Sequence, residues 1–272
     1  MSLGAGSNTA DVLRAVRRSP ITDTAGFTLV VLGLIWLAVR GTEALGYNWQ
    51  WYRIPQYFWA YEDGHIVWGP LVRGLLVTFQ ITAVSLILSF FIGLVTALFR
   101  QSRSVAAHLV ARVYLEIIRN TPLLIQIFFI YFVLGPVLDI SRFASAVLAL
   151  SLFEGAYASE IFRAGIVSIQ RGQWEAAYSV GLGTYHTYRH IILPQAVRRV
   201  LPPLTGQAIS LVKDSALVST IAIYDLTMRG QEIVSETFLT FEVWFTVAAV
   251  YLGITMTLSI FVHFLEKRMR IT

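Results

Sequence analysis

Residues 74–99 read GLLVTFQITAVSLILSFFIGLVTALF, 26 residues without one Asp, Glu, Lys or Arg. An α-helix rises 1.5 Å per residue, so about 20 apolar residues cross the roughly 30 Å hydrocarbon core of a bilayer. This stretch predicts a membrane-spanning helix, and two others repeat the pattern. Val243–Leu265 gives 23 uncharged residues and Asn120–Leu138 gives 19. Thr24–Val39 is shorter, 16 uncharged residues, but extends through Ala44 at the membrane interface. Phe143–Phe162 is apolar apart from Glu154 and Glu160, and Leu201–Tyr224 apart from the pair Lys213 and Asp214. The prediction is an all-α membrane protein with six transmembrane helices.

Composition points the same way. Hydrophobic residues make up 56% of the 272 and charged residues 14%, against about 25% charged in soluble proteins. With 17 Phe, 12 Tyr and 7 Trp, there is too much apolar surface for one water-soluble core, which argues against a soluble enzyme, a disordered chain or a nucleic-acid binder. The absence of cysteine excludes disulfides, thiolate catalysis and Cys-based metal sites. The net charge of +5 is explained by where the bases fall. Lys and Arg are retained on the cytoplasmic side. With the N-terminus inside, 14 of the 21 lie in the cytoplasm, Arg100, Arg103, Arg112 and Arg163 among them. Five lie outside (Arg40, Arg53, Arg73, Arg142, Arg229), and Arg119 and Lys213 fall within the membrane. Both termini are expected in the cytoplasm.

The expected organisation follows. Residues 1–25 form a cytoplasmic segment, without a convincing cleavage site after Val39, so the first span is an uncleaved anchor. Residues 26–45 are that first helix. Residues 46–69, with Trp49, Trp51, Tyr52, Tyr57, Trp59, Tyr61 and Trp68, are a periplasmic aromatic-rich segment. They suit the membrane–water interface, or a platform for a partner. Residues 70–268 are the main transmembrane domain.

The polar stretch 165–200, GIVSIQRGQWEAAYSVGLGTYHTYRHIILPQAVRRV, lies on the inner side. Good helix formers run over Gln173–Val180, Gly181 and Gly183 interrupt them, and a second helical run over Thr184–Leu193 is expected to end at Pro194. Small residues Ala176 and Ala177 let another surface approach, and Gly181 lets the backbone turn where a side chain would obstruct. Two short helices joined at glycines suggest a docking element.

At these residues the chain resembles the permeases of ABC importers. Glu175-Ala176-Ala177, Gly181, Ile191 and Leu193-Pro194 fall on the spacing of the family's EAA loop without a gap. The resemblance extends upstream through Glu116, Arg119, Thr121-Pro122-Leu123, Gln126, Gly155-Ala156-Tyr157, Glu160-Ile161 and Arg163, and downstream through Pro194-Gln195-Ala196 and Lys213-Asp214. These look like the polar amino-acid branch, which takes histidine, glutamate, glutamine, arginine or opines. Phe153-Glu154, Ala156-Tyr157 and Ser159-Glu160-Ile161 resemble glutamate/aspartate permeases, and imply an acidic amino acid as substrate. The resemblance implies a five-helix importer core, with the N-terminal helix as an extra, and a cytoplasmic EAA coupling segment over 168–195. ATPase coupling would fall to Glu175, Ala176, Ala177, Gly181, Leu182 and Gly183. It further implies two ATP-binding subunits, a second permease chain (identical or paralogous), a periplasmic substrate-binding protein, and location in the bacterial inner membrane. No G-x-x-x-x-G-K phosphate loop occurs, so the chain is expected to be no enzyme and to bind no cofactor. ATP and Mg belong to the partner ATPase.

Ionisable groups inside a membrane usually face an interior or a water-filled cavity. Counted from Ala144, Glu154 lies about 15 Å deep; counted from Leu201, Lys213 lies about 18 Å deep. Both depths are near the midplane of the roughly 30 Å core. Glu154, Lys213 and Asp214 are therefore expected to surround the substrate path, holding the ammonium and carboxylate of an amino acid, with Arg119 attracting a second carboxylate. The alternative is a buried Glu154–Lys213 ion pair that holds two helices together. Glu160 and Arg163 stand three apart on one helical face and predict a structural ion pair. His186 and His190 have metal-like spacing but no third ligand nearby, and no Ser–His–Asp or G-x-S-x-G arrangement suggests catalysis; neither a metal site nor a catalytic residue is expected. Rival readings are an ABC permease for another small solute and a carrier driven by an ion gradient, with membrane lipid the surrounding partner in every case and nucleic acid in none.

Overall fold

A computed structural model of the chain describes residues 20–44, 46–62 and 64–269; the expected cytoplasmic segment 1–25 lies mostly outside them. The chain divides into two compact units, residues 1–50 and 51–272. In the first, helix α1 (Pro20–Ala44) is apolar on every face, as a helix surrounded by lipid is. Beyond it, the Tyr47 and Trp49 rings meet edge to face at 5.3 Å.

The second unit opens with two 3₁₀ turns, Trp51–Arg53 and Pro55–Tyr57. A small antiparallel hairpin follows, β1 (Trp59–Glu62) and β2 (His65–Trp68), with Trp59 opposite Trp68 and Tyr61 opposite Ile66. This is a departure from an all-helical chain: aromatic and β-branched residues pair well across two strands. Then come α2 (Pro70–Gln101), α3 (Val105–Arg119) and α4 (Leu123–Phe128). A π-helical stretch, Phe129–Leu134, carries α4 into the short α5 (Gly135–Leu138), which stops at Asp139 in the left-handed conformation. Next are α6 (Arg142–Val167), α7 (Arg171–Ser179) and α8 (Thr184–Thr187). After a π-helical turn at Tyr188–Ile192 come α9 (Leu193–Asp214), a 3₁₀ stretch Ser215–Ile221, α10 (Leu226–Thr237) and α11 (Thr240–Met269).

Local chemistry sets the helix starts. Pro70 sits in the first turn of α2, where its missing N–H costs nothing. The side chains of Ser104, Ser141 and Asp225 accept the N–H groups of Ala107, Ala144 and Met228 and cap α3, α6 and α10. The central contact is α2 against α6. A Cβ added to Gly93 would lie 2.6 Å from the Ala158 Cβ, and one added to Gly155 would lie 2.7 Å from the Ile92 side chain. Only glycine allows this approach, the usual means by which membrane helices pack without a hydrophobic driving force. Ser85 and Ser151, both buried, donate to the carbonyls of Val147 and Ser85 across the same seam. Around it lies the main core, including Ile81, Ile127, Ala146, Leu150, Leu211 and Val218. A second cluster, around Leu71, Leu226, Leu239 and Val243, ties α2 to α10 and α11.

The six predicted spans are not all met. Four helices among the described residues are long and apolar enough to cross a membrane, and a fifth span arises if α3 and residues 123–138 count together, though they are bent by 108°. The predicted span over Leu201–Tyr224 is instead α9, which begins at Leu193, carries Arg198 and Arg199, and ends at Asp214. Lys213 is therefore the penultimate residue of its helix, not a residue at mid-span. One proline expectation also changes. Pro194 does not end a helix: the wide turn at 188–192 ends just where its missing N–H would matter, and the proline sits in the first turn of α9. Pro202 and Pro203 lie inside α9. There each removes one intrahelical hydrogen bond.

Candidate functional site

Helices α6 and α9 border a cavity of about 450 Å³ lined by Phe153, Glu154, Tyr157, Glu160, Ile161, Pro203, Gln207, Ser210 and Asp214. Helical spacing builds it. On α9, residues 203, 207, 210 and 214 recur at intervals of four, three and four, and on α6, residues 154, 157 and 161 follow the same rule, so each set forms one stripe. Glu154 is 3% exposed. Its side chain lies beside Asp214 and Gln207 in the cavity lining, and the Gln207 amide donates to the Glu154 backbone carbonyl at 2.8 Å. None of the lining residues is basic. Of these residues only Glu154 is buried, and Tyr157 and Pro203 are exposed, so the cavity is an open groove; Glu154 and Asp214 are its acids without an ion pair.

Glu154 and Asp214 therefore come together, as expected of residues along one path, but Lys213 does not join them. Consecutive residues on a helix point about 100° apart, so with Asp214 turned to the cavity, Lys213 is exposed. No Glu154–Lys213 ion pair forms, and the structural alternative is corrected with it. Arg119 is not itself in the lining but is bound to a residue that is. Its guanidinium meets Glu160 at 3.1 Å, and the same carboxylate takes Arg100 from α2 at 2.7 Å and Arg163 at 3.1 Å. The Glu160–Arg163 contact is thus one of three, and Glu160 fastens α2 and α3 to α6. Tyr114 adds a fourth tie, donating to the Leu152 carbonyl at 2.6 Å.

The segment 168–195 forms a rigid elbow. Helix α7 ends with Gly181 at φ +79. Gly181 N–H donates to the Tyr178 carbonyl and Leu182 N–H to the Ala177 carbonyl, the paired bonds of a Schellman C-cap, where glycine avoids a Cβ clash. Trp174 stacks edge-on against Tyr188 at 5.0 Å, and the Gln195 amide donates to Gln173 at 3.1 Å. Arg199 binds the carbonyl and hydroxyl of Ser168. These ties hold α7 against the start of α9. Within it Ala177 is buried, while Glu175, Ala176, Gly181 and Gly183 face outward and Leu182 is half-buried. His186 and His190 lie stacked 5.7 Å apart; among the described residues no group of three or more His, Asp or Glu is arranged to hold a metal.

Residues 89–271 match the family described as the binding-protein-dependent transport system inner membrane component. The chain belongs to that family. Among its relatives is the glutamine transport system permease protein GlnP of Escherichia coli (strain K12), 40% identical over 204 residues that cover 74% of this chain and 93% of that one. The L-cystine transport system permease protein TcyB of Bacillus subtilis (strain 168) is 39% identical over 222 residues, covering 80% and 91%. A crystal structure of an amino acid ABC transporter with histidines superposes with a TM-score of 0.70 at 37% identity, over 73% of this chain and 94% of that chain. The methionine transporter MetNI in an inward-facing form shares the fold at 21% identity with a TM-score of 0.62.

As an inner-membrane component of such a transport system, the chain is a transport subunit, and ATP hydrolysis belongs to a separate ATPase. The acidic substrate implied by the glutamate/aspartate-like residues finds no support: the relatives above are named for glutamine and cystine, and the permease's cavity is lined by acids. Sequence reasoning missed Tyr157, Pro203, Gln207 and Ser210 in that lining, and Arg100 on Glu160. The stripe 203–207–210–214 was the available signal. The apolar run from Leu201 hides it, since nothing in that run marks Pro203 as part of a cavity wall.

Proposed function

We propose that this permease carries a polar, non-acidic amino acid, glutamine first, through the cavity between α6 and α9. The observation that carries the reading is that Glu154 and Asp214 line one cavity together, with no basic residue in the lining. The substrate's ammonium meets these two carboxyl groups. A neutral or cationic side chain is accepted, while a second carboxylate meets like charge, which is how a site rejects a near-isostere. The relatives named for glutamine and cystine support the same class.

Two ATP-binding subunits grip the elbow at Glu175, Ala176, Ala177, Gly181, Leu182 and Gly183, and nucleotide-driven closure passes through α7 into α9 and α6 to alternate access. A second permease chain, identical or paralogous, completes the pathway, a periplasmic binding protein delivers substrate, and both termini lie in the cytoplasm. Glu175 supports this role: it is exposed and has no ion pair among the described residues.

The test is uptake into proteoliposomes holding the permease with its ATPase, binding protein and any second permease, supplied with labelled glutamine, histidine, cystine or glutamate. Glutamine uptake is expected to require ATP, with glutamate about tenfold slower. Gly181→Asp is expected to abolish uptake while the protein still folds, because Asp tolerates positive φ better than most residues. A preference for glutamate overturns the substrate class. Uptake indifferent to ATP and to Gly181→Asp overturns the coupling and leaves a gradient-driven carrier.

A further inference from the structure

Helix α3 has three faces. Ala111, Leu115 and Ile118 are buried against the protein. Leu109, Val110, Val113 and Ile117 form a second face, 48–60% exposed. His108, Arg112, Glu116 and Arg119 line a third, at the i, i+4 and i+3 spacing of one polar edge. The helix is bent by 108° from the apolar segment that follows, so the two do not share one direction. A helix with an apolar face and a basic edge suits the membrane–water interface.

At its N-terminal end, where α2 turns into α3, a cavity of about 400 Å³ is lined by Arg103, Ser104, Val105, His108, Leu109 and Arg112, with no acid among its lining residues. The bases around it divide into two groups. Arg100, Arg119 and Arg163 are all taken by Glu160. Arg103 and Arg112 have no ion pair among the described residues, and both are exposed. Glu116, one turn beyond Arg112 and its natural helical partner, accepts the Asn120 amide at 3.1 Å instead. Two free guanidinium groups thus converge on one hollow, beside an apolar face without a partner.

We propose that this hollow binds an anionic phospholipid, with the headgroup phosphate between Arg103 and Arg112 and an acyl chain along Leu109, Val113 and Ile117. Arg presents a planar fork of donors matched to phosphate oxygens. Basic pockets at the cytoplasmic ends of membrane helices select anionic lipid by this chemistry. The assignment rests on the inward orientation of the α2–α3 turn proposed above.

The experiment is native mass spectrometry of the detergent-purified permease complex, offered phosphatidylglycerol, phosphatidylcholine or inorganic phosphate. Phosphatidylglycerol retention is expected to be about tenfold lower in R103Q/R112Q than in wild type, and intermediate in R103K/R112K, which keeps both charges but loses the planar fork. Phosphatidylcholine is expected to be retained equally poorly by all three. Equal phosphatidylglycerol retention in wild type and R103Q/R112Q overturns the proposal, and so does displacement of the lipid by millimolar inorganic phosphate, which makes the hollow a free-anion site. Orientation is read separately. The chain has no cysteine, so A106C labelled by a membrane-impermeant maleimide only after the cells are opened places the turn inside. Labelling of intact cells overturns the orientation while leaving the lipid measurement standing.

Discussion

Glu154 and Glu160 lie six residues apart on α6, in the same cavity wall, and they do opposite things. Glu160 is surrounded by three arginines from three helices, while Glu154 faces another acid and an amide. A carboxylate saturated by guanidinium groups is a fastener, since its lone pairs are occupied and its charge is neutralised. A carboxyl group buried beside a second carboxyl and an amide ties no guanidinium down, and under the function proposed above it is the group that an incoming ammonium meets. Burial of charge in a membrane protein therefore says less than the identity of the partner.

The two roles separate under substitution. Glu160→Gln leaves three guanidinium groups without their anion and is expected to lower the thermal midpoint in detergent by about 6 °C and to abolish uptake. An unchanged midpoint would mean that the arginines hold the helices without it. Glu154→Gln keeps the shape and the hydrogen-bonding capacity and is expected to leave the midpoint within about 1 °C while slowing uptake about tenfold, the scale of one lost charge-assisted hydrogen bond. If the midpoint falls as far as in Glu160→Gln, the two glutamates are both fasteners and the comparison fails.

The arginines sharpen the contrast further. Arg100 is closer to Glu160 and 23% exposed, whereas Arg119 is 47% exposed. Arg100→Gln is expected to cost about 1 kcal/mol of stability and Arg119→Gln less than about 0.5 kcal/mol, since solvent screens the more exposed pair. A large loss of uptake in Arg119→Gln at unchanged stability would return that residue to the substrate path. Lys213→Gln is expected to have the smallest effect, within about twofold in uptake, as for exposed positions generally; a larger loss would mean that Lys213 turns into the cavity during transport.

Much of this was legible in the chain itself. The long apolar runs became α1, α2 and α11, because hydrocarbon thickness alone sets that signal. Gly181 was legible as a turn, and its positive φ ends α7. Glu154, Glu160, Lys213 and Asp214 were legible as the charges within otherwise apolar runs. Their pairings were not. Arg100 and Glu160 are 60 residues apart, and no local pattern distinguishes that contact from the i, i+3 pair with Arg163. Lys213 and Asp214 are adjacent in sequence yet face different surroundings, and only the rotation of α9 against α6 decides which of them lines the cavity.

From its sequence alone, then, the protein was bound to lie in a membrane and to turn sharply after Ser179. Those properties come from composition, charge and backbone freedom over short spans of chain. The assignment of Glu160 as fastener and Glu154 as part of an open acid-lined cavity came only from the close packing of α2, α6 and α9. Electrostatic interaction depends on distances through space, and glycine contacts such as Gly93 against Ala158 and Gly155 against Ile92 set those distances between residues far apart in the chain.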